Sequence, residues 1–285
     1  MSRRTVLAFS VLAVYLLVSV SLLRLPAAIV DPLIDEDGLI EWFGALCLLL
    51  GSCLIALSVR ELRRTGASWV KQTSYVVVGL ILFVAFGEEI SWGQRIFDIA
   101  TPEALLRVNS QGETNFHNLY GNENGQNFSN RAFQLFWASL GILLPVLALW
   151  KPAGRVLRRY VPVLPLWFAV LFIGQQLLWK PVQALWRQDP GAWGGTHRGR
   201  IGHDAFRVEN VSEVAGSGAT GPAGLAEVME ANIEVLLAAA ALWLLLSARS
   251  ARTITRTPAS IDPSVDDNTR PLETGAQGRR RPLGP

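Results

Sequence analysis

The chain has 285 residues, half of them hydrophobic, and a formal net charge of +3. The apolar residues gather into long runs, which sets aside a single water-soluble domain. The basic residues are scattered in short segments beside those runs and form no single patch, which sets aside nucleic acid as a partner.

Six runs approach the roughly 20 residues needed to cross about 30 Å of hydrocarbon. In chain order they are Thr5–Leu23, Leu39–Val59, Ser74–Arg95, Phe133–Trp150, Tyr160–Lys180 and Ala231–Ser247. They predict an all-α polytopic membrane protein with six transmembrane helices within residues 1–256 and lipids as its surroundings. The first run is read as a retained span and not a signal peptide, because it is long for a signal core and the following "PAA" is a poor cleavage site. Alternating sides from a cytoplasmic amino terminus, the inner segments hold 13 Lys/Arg and one acid, while the outer ones hold 9 Lys/Arg and 18 Asp/Glu. This positive-inside pattern predicts both termini in the cytoplasm and a multi-pass protein of the cell (inner or plasma) membrane.

The first outer loop, "VDPLIDEDGLIEW", is acidic and brings Glu41 to the mouth of the second span. The outer loop between spans 3 and 4 is long, and "TPEALLRV" within it predicts a short helix capped by Thr101 with Pro102 in first position. The outer loop between spans 5 and 6 is long and Gly-rich, and the tail 257–285 has the composition of a disordered cytoplasmic segment. Cys47 and Cys53 lie six apart on one span, cannot bridge, and read as small core residues. Trp42, Trp69, Trp92, Trp150, Trp179 and Trp186 fall near span ends and read as interfacial anchors.

Polar residues inside the runs mark the candidate site. At 1.5 Å per residue, Glu88, Gln175 and Glu234 all lie about 20 Å from the inner face, with Glu41 at the outer boundary. Helical spacing puts Glu88, Trp92 and Arg95 on one face, Gln176, Lys180 and Gln183 on a second, and Glu227, Glu230 and Glu234 on a third. Charges at such depth are costly unless paired, neutralised or functional. Glu88, Glu89, Glu230 and Glu234 outnumber the nearby Arg95 and Lys180, which predicts a polar cavity open to the outer face. In "NSQGETNFHN", Glu113 and His117 stand four apart and share one side if the segment is helical, a spacing suited to a divalent metal or an acid/base pair. Glu88, Glu113, His117 and Glu230 are the candidate metal ligands, a thiol-free set suited to Zn, Mn, Fe, Mg or Ca. The sequence contains no P-loop, C-x-x-C or H-E-x-x-H motif, and the Gly-rich "GSGATGPAG" lacks the Lys of a phosphate cradle.

"GEEISWGQR" followed by "NSQGETNFHN" resembles a family of uncharacterised bacterial multi-span membrane proteins that carry both motifs at similar spacing. The resemblance covers Asp35 to Asn118 and implies topology, not an activity. The Glu-Glu pair also resembles that of the CAAX-type intramembrane proteases, where an arginine follows the second glutamate by four residues. Here Arg95 is six after Glu89 and the later spans carry no His, so that family is set aside. The same lack of intramembrane His separates the chain from alkaline ceramidases.

Three functions are compatible with these residues. The first is a metal-assisted hydrolase or transferase acting on a lipid-linked substrate, with Glu88 and Glu89 as base or ligands, Glu113 and His117 as ligands or acid, and Arg95 holding an anionic group. The second is a proton- or cation-coupled transporter, disfavoured by the apolar inner halves of the spans. The third is a non-catalytic assembly or sensor protein.

Overall fold

A chain segment in hydrocarbon satisfies its backbone polar groups internally, which long apolar runs do by becoming helices. The computed structural model describes residues 2–22, 29, 33–34, 38–109, 112–116, 119, 128–188 and 223–256, with the backbone alone at 95, 181–188, 223–226 and 252–256. Among the described residues the regular elements are all helical, with no strand. We number them α1 (Arg3–Leu22), α2 (Leu39–Arg64), α3 (Trp69–Glu89), α4 (Gln94–Phe97), α5 (Glu103–Leu106), α6 (Phe128–Leu147), α7 (Lys151–Tyr160), α8 (Leu166–Gln188) and α9 (Ala223–Arg256).

Five of these, α1, α2, α3, α6 and α9, are long and apolar enough to cross a membrane. Leu7, Val11, Leu17, Leu46, Leu80, Phe83 and Leu246 point outward from them. An apolar exterior of this kind is that of a membrane protein. The expected fifth span, Tyr160–Lys180, starts later than its apolar run, at Leu166. Tyr160 closes α7, and Val161 to Pro165 are non-helical because Pro162 and Pro165 interrupt the hydrogen-bond ladder. The apolar part of α8, Leu166–Lys180, is shorter than a span. The tail 257–285 and the segment 189–222, with His197 and His203, lie outside the described residues.

The helices alternate in direction. Gly44 and Gly51 of α2 lie against Ala231 and Ala238 of α9, so these two run parallel and in close contact. Gly51 meets Leu82 and Gly79 meets Ile55, so α3 runs antiparallel to α2, and Ser52 Oγ donates to Gly79 O at 2.9 Å. The stacked Trp167 and Phe168 of α8 meet Trp243 of α9, while Gln175 reaches Asn232 further back along it, so α8 opposes α9. Leu48, Ile55, Leu82, Phe168, Phe172, Leu236 and Leu237 fill the centre. In α6, Ser139–Leu143 is a widened π turn, placed where Pro145 cannot donate to Gly141 O.

One end of the bundle is basic. There Lys71 Nζ donates to Arg158 O at 2.9 Å and Ser74 Oγ to Tyr160 O at 2.8 Å, tying α3 to α7. The other end carries the glutamates. Two side-chain expectations change. Cys53 faces outward and not into the core, though both cysteines are free thiols. Trp179 is no interfacial anchor but is buried against Ile34 and Val228, whereas Trp69 and Trp150 are well exposed.

Candidate functional site

The glutamate end is built around the place where α3 stops. α3 closes at Glu89, six residues short of the predicted Arg95, and is followed by a tight turn, Ser91–Gly93. Ser91, Trp92 and Gly93 are all left-handed, with φ of 47°, 55° and 81°. Two successive non-glycine residues in that region are strained and persist only when tertiary contacts hold them. The expected helical face of Glu88, Trp92 and Arg95 therefore does not exist. Trp92 instead folds back so that its Nε1 donates to Glu88 Oε1 at 2.7 Å. Its ring lies on Gly87, where a Cβ would come within 2.8 Å of the indole.

The contacts that hold the turn come from the second motif. Glu88 Oε2 accepts from Phe116 N at 2.6 Å. Ser91 Oγ donates to Glu113 Oε2 at 2.6 Å, and Asn115 Nδ2 donates to both Ser91 Oγ (2.9 Å) and Glu113 Oε2 (2.7 Å). Asn109 Nδ2 donates to Asn115 Oδ1 at 2.9 Å, and Asn109 Oδ1 accepts from Glu113 N at 3.2 Å. Gln94 Oε1 accepts from Thr114 N and Oγ1, each at 2.6 Å, while Gln94 Nε2 donates to Thr101 Oγ1. Thr101 Oγ1 donates to Gly112 O at 2.6 Å instead of capping α5, whose cap residue is Pro102. Ser91, Asn109 and Asn115 are at most 2% exposed. The two motifs thus form one buried hydrogen-bonded lock. Residues 112–116 within it are irregular, which removes the helical basis for pairing Glu113 with His117. His117 lies outside the described residues, as does the side chain of Arg95.

Glu89 faces elsewhere. It shares an electrostatic neighbourhood with Glu234, Glu230 and Glu227 of α9 and Glu41 of α2. Glu234 is 3% exposed, and its carboxylate occupies the space that a side chain at position 44 would fill, so Gly44 makes its seat. Tyr15 and Cys47 are within electrostatic range of it. Glu41 and Glu89 are half-buried and Glu230 is exposed. Gln175 of α8 is fully buried but packs on a different face of α9: its Oε1 accepts from Asn232 Nδ2 at 3.2 Å and its Nε2 donates to Met229 O at 3.5 Å. Gln176 is half-buried and Lys180 exposed. Asn232 Oδ1 has no hydrogen-bond partner among the described residues.

Among the described residues no three His, Cys, Asp or Glu gather as a metal site. Glu88 and Glu113 stand in the lock, Glu230 stands among the α9 acids, and His117 falls outside the description. Sequence reasoning missed the roles of Ser91, Gln94, Thr101, Asn109, Thr114 and Asn115. The density of short amides and hydroxyls beside Gly93 and Gly112 was the available signal, since such side chains commonly bond to turns. The chain matches no family model, and no curated protein or solved structure matches it either.

Proposed function

We propose that the chain is a six-span membrane protein, with α8 crossing as a short fifth span beside the five longer helices and both termini cytoplasmic, whose glutamate end opens at the outer leaflet and binds a divalent cation. Glu89 and Glu234 are the central carboxylates of this reading, and its chemistry is metal-assisted hydrolysis or transfer on a lipid-linked substrate. The observation that supports it is the shared electrostatic neighbourhood of Glu89 and Glu234, from α3 and α9, with Glu230, Glu227 and Glu41, in which no three acids among the described residues stand as a preformed ligand set. Carboxylates brought together favour hard cations and supply acid/base groups. Glu88 and Glu113 move from chemistry to positioning, since both accept hydrogen bonds within the lock. Arg95 as anion holder and His117 as ligand or acid belong to this reading as proposals, because neither side chain is among those described. A one-sided site is favoured over a transport path because Leu48, Ile55, Leu82, Leu236, Leu237 and Leu244 close the bundle beneath the carboxylates.

The test is calorimetric titration of the detergent-purified full chain with Mg²⁺, Mn²⁺, Ca²⁺ and Zn²⁺. One of them is expected to bind near one-to-one, with affinity about tenfold or more lower in Glu89→Gln and Glu234→Gln, the loss of one charged ligand interaction. Failure of all four ions to bind, or binding that both variants leave unchanged, overturns the reading.

A further inference from the structure

At the basic end, α6 turns into α7 through a corner that only a small residue permits. A Cβ on Gly154 would stand 2.5 Å from Ala148 O, and Gly154 N donates to Trp150 O at 2.8 Å. The corner leaves an open cleft of about 360 Å³ lined by Ala148, Lys151, Gly154, Arg155 and Arg158. Lys151, Arg155 and Arg158 are spaced i, i+4, i+7, so three cations share one face of α7. α7 contains no acidic residue. Glu61, the one acid in the nearby basic segments, is bonded to Arg64 of its own helix at 3.1 Å. Large apolar side chains stand exposed around the same corner: Leu147, Leu149, Trp150 and Val156. α6 is long and apolar enough to span a membrane and ends at Leu147, which brings the cleft to the membrane surface.

We infer that this cleft binds the headgroup of an anionic phospholipid, with Lys151, Arg155 and Arg158 on the phosphate and the exposed apolar residues against the acyl chains. A soluble anion would need the three cations but not the apolar rim. Basic pockets beside span ends are suited to such headgroups, and each cation near an anionic surface adds to the attraction. This inference does not depend on the chemistry at the glutamate end.

The experiment titrates the full chain in nonionic detergent with phosphatidylglycerol, reading bound lipid by native mass spectrometry and the thermal unfolding midpoint alongside. Phosphatidylglycerol is expected to stay bound and raise the midpoint, and phosphatidylcholine to do neither. The Lys151→Gln/Arg155→Gln/Arg158→Gln variant is expected to lose about a hundredfold in affinity for it. The three side chains are exposed, so this variant should unfold like the unaltered chain when no lipid is added. The single Arg155→Gln variant gives a smaller loss in the same direction. Arg3→Gln/Arg4→Gln/Arg60→Gln removes equal charge from the same end and is expected to bind the lipid normally. Unaltered binding in the cleft variant overturns the proposal. So does an equal loss in the charge-matched variant, or an equal midpoint shift from inorganic phosphate alone.

Discussion

Glu88 accepts from Trp92 Nε1 at 2.7 Å on one oxygen and from Phe116 N at 2.6 Å on the other. A glutamine there keeps one acceptor and turns an NH₂ toward the other donor. Hydrogen bonds to a charged group contribute about 1.5–3 kcal/mol, so Glu88→Gln should destabilise the protein by about 2 kcal/mol. A lower thermal midpoint with cation binding retained in the folded protein is the expected outcome. Full stability would show that Glu88 does not hold the turn. Gly44 supplies a second prediction at this scale. A methyl group at position 44 overlaps Glu234 Oε2, whereas its nearest backbone neighbour, Ala231 Cα, is at 3.4 Å. The carboxylate must leave its seat, so Gly44→Ala should reproduce the cation-binding loss of Glu234→Gln. Gly51→Ala is the control, because its closest contact is the movable Leu82 Cδ1 at 3.2 Å. The small overpacking cost there is offset by about 1 kcal/mol of helix propensity, leaving stability within about 1 kcal/mol of the unaltered chain. Denaturation midpoints and the calorimetric titration together check the pair.

At the scale of elements, the apolar runs and the alternation of basic and acidic ends were legible in the sequence, because both are local and additive. The end of α3 was not. Nothing in "GEEISWGQR" before Gly93 breaks a helix, and the spacing of Glu88, Trp92 and Arg95 imitates a continuing face. The left-handed Ser91 and Trp92 are held from outside, by Thr114 and Asn115 more than 20 residues later. Long-range contacts of that kind leave no periodic signature. The same reasoning explains α8, where Pro162 and Pro165 were visible but lay inside an otherwise apolar run. Both glutamates were found as site residues, yet their division was hidden, since Glu88 turns to the loop and Glu89 to α9. Asn115 tests the lock as an element. It makes bonds to Ser91, Glu113 and Asn109 and is 1% exposed. Asn115→Ala should cost about 3 kcal/mol, from buried partners left unsatisfied and the space vacated. Hydrogen exchange should rise across residues 91–116 while α2, α3 and α9 stay protected. Uniform loss of protection would mean that the lock is inseparable from the helix bundle.

The whole molecule is polar along its length, with glutamates at one end and Lys/Arg at the other, and helices that alternate between them. That arrangement gives the positive-inside pattern a structural counterpart, since the basic segments beside α1, α2, α3, α7 and α9 fall at one end. Cysteine labelling tests the orientation directly. Cys47 and Cys53 are first replaced by alanine, because Cys53 is exposed. Single cysteines are then placed at Glu103, which is exposed near the glutamate end, and at Arg63, which is exposed at the basic end. In intact cells a membrane-impermeant maleimide should label position 103 and leave 63 untouched, and lysis should open 63 to the reagent. The reverse pattern would place the glutamate end in the cytoplasm, where a site for lipid-linked substrates of the outer leaflet is untenable. Labelling of both positions in intact cells would mean that the helices do not hold the two ends on opposite sides of a membrane, and the six-span reading would fall with the orientation.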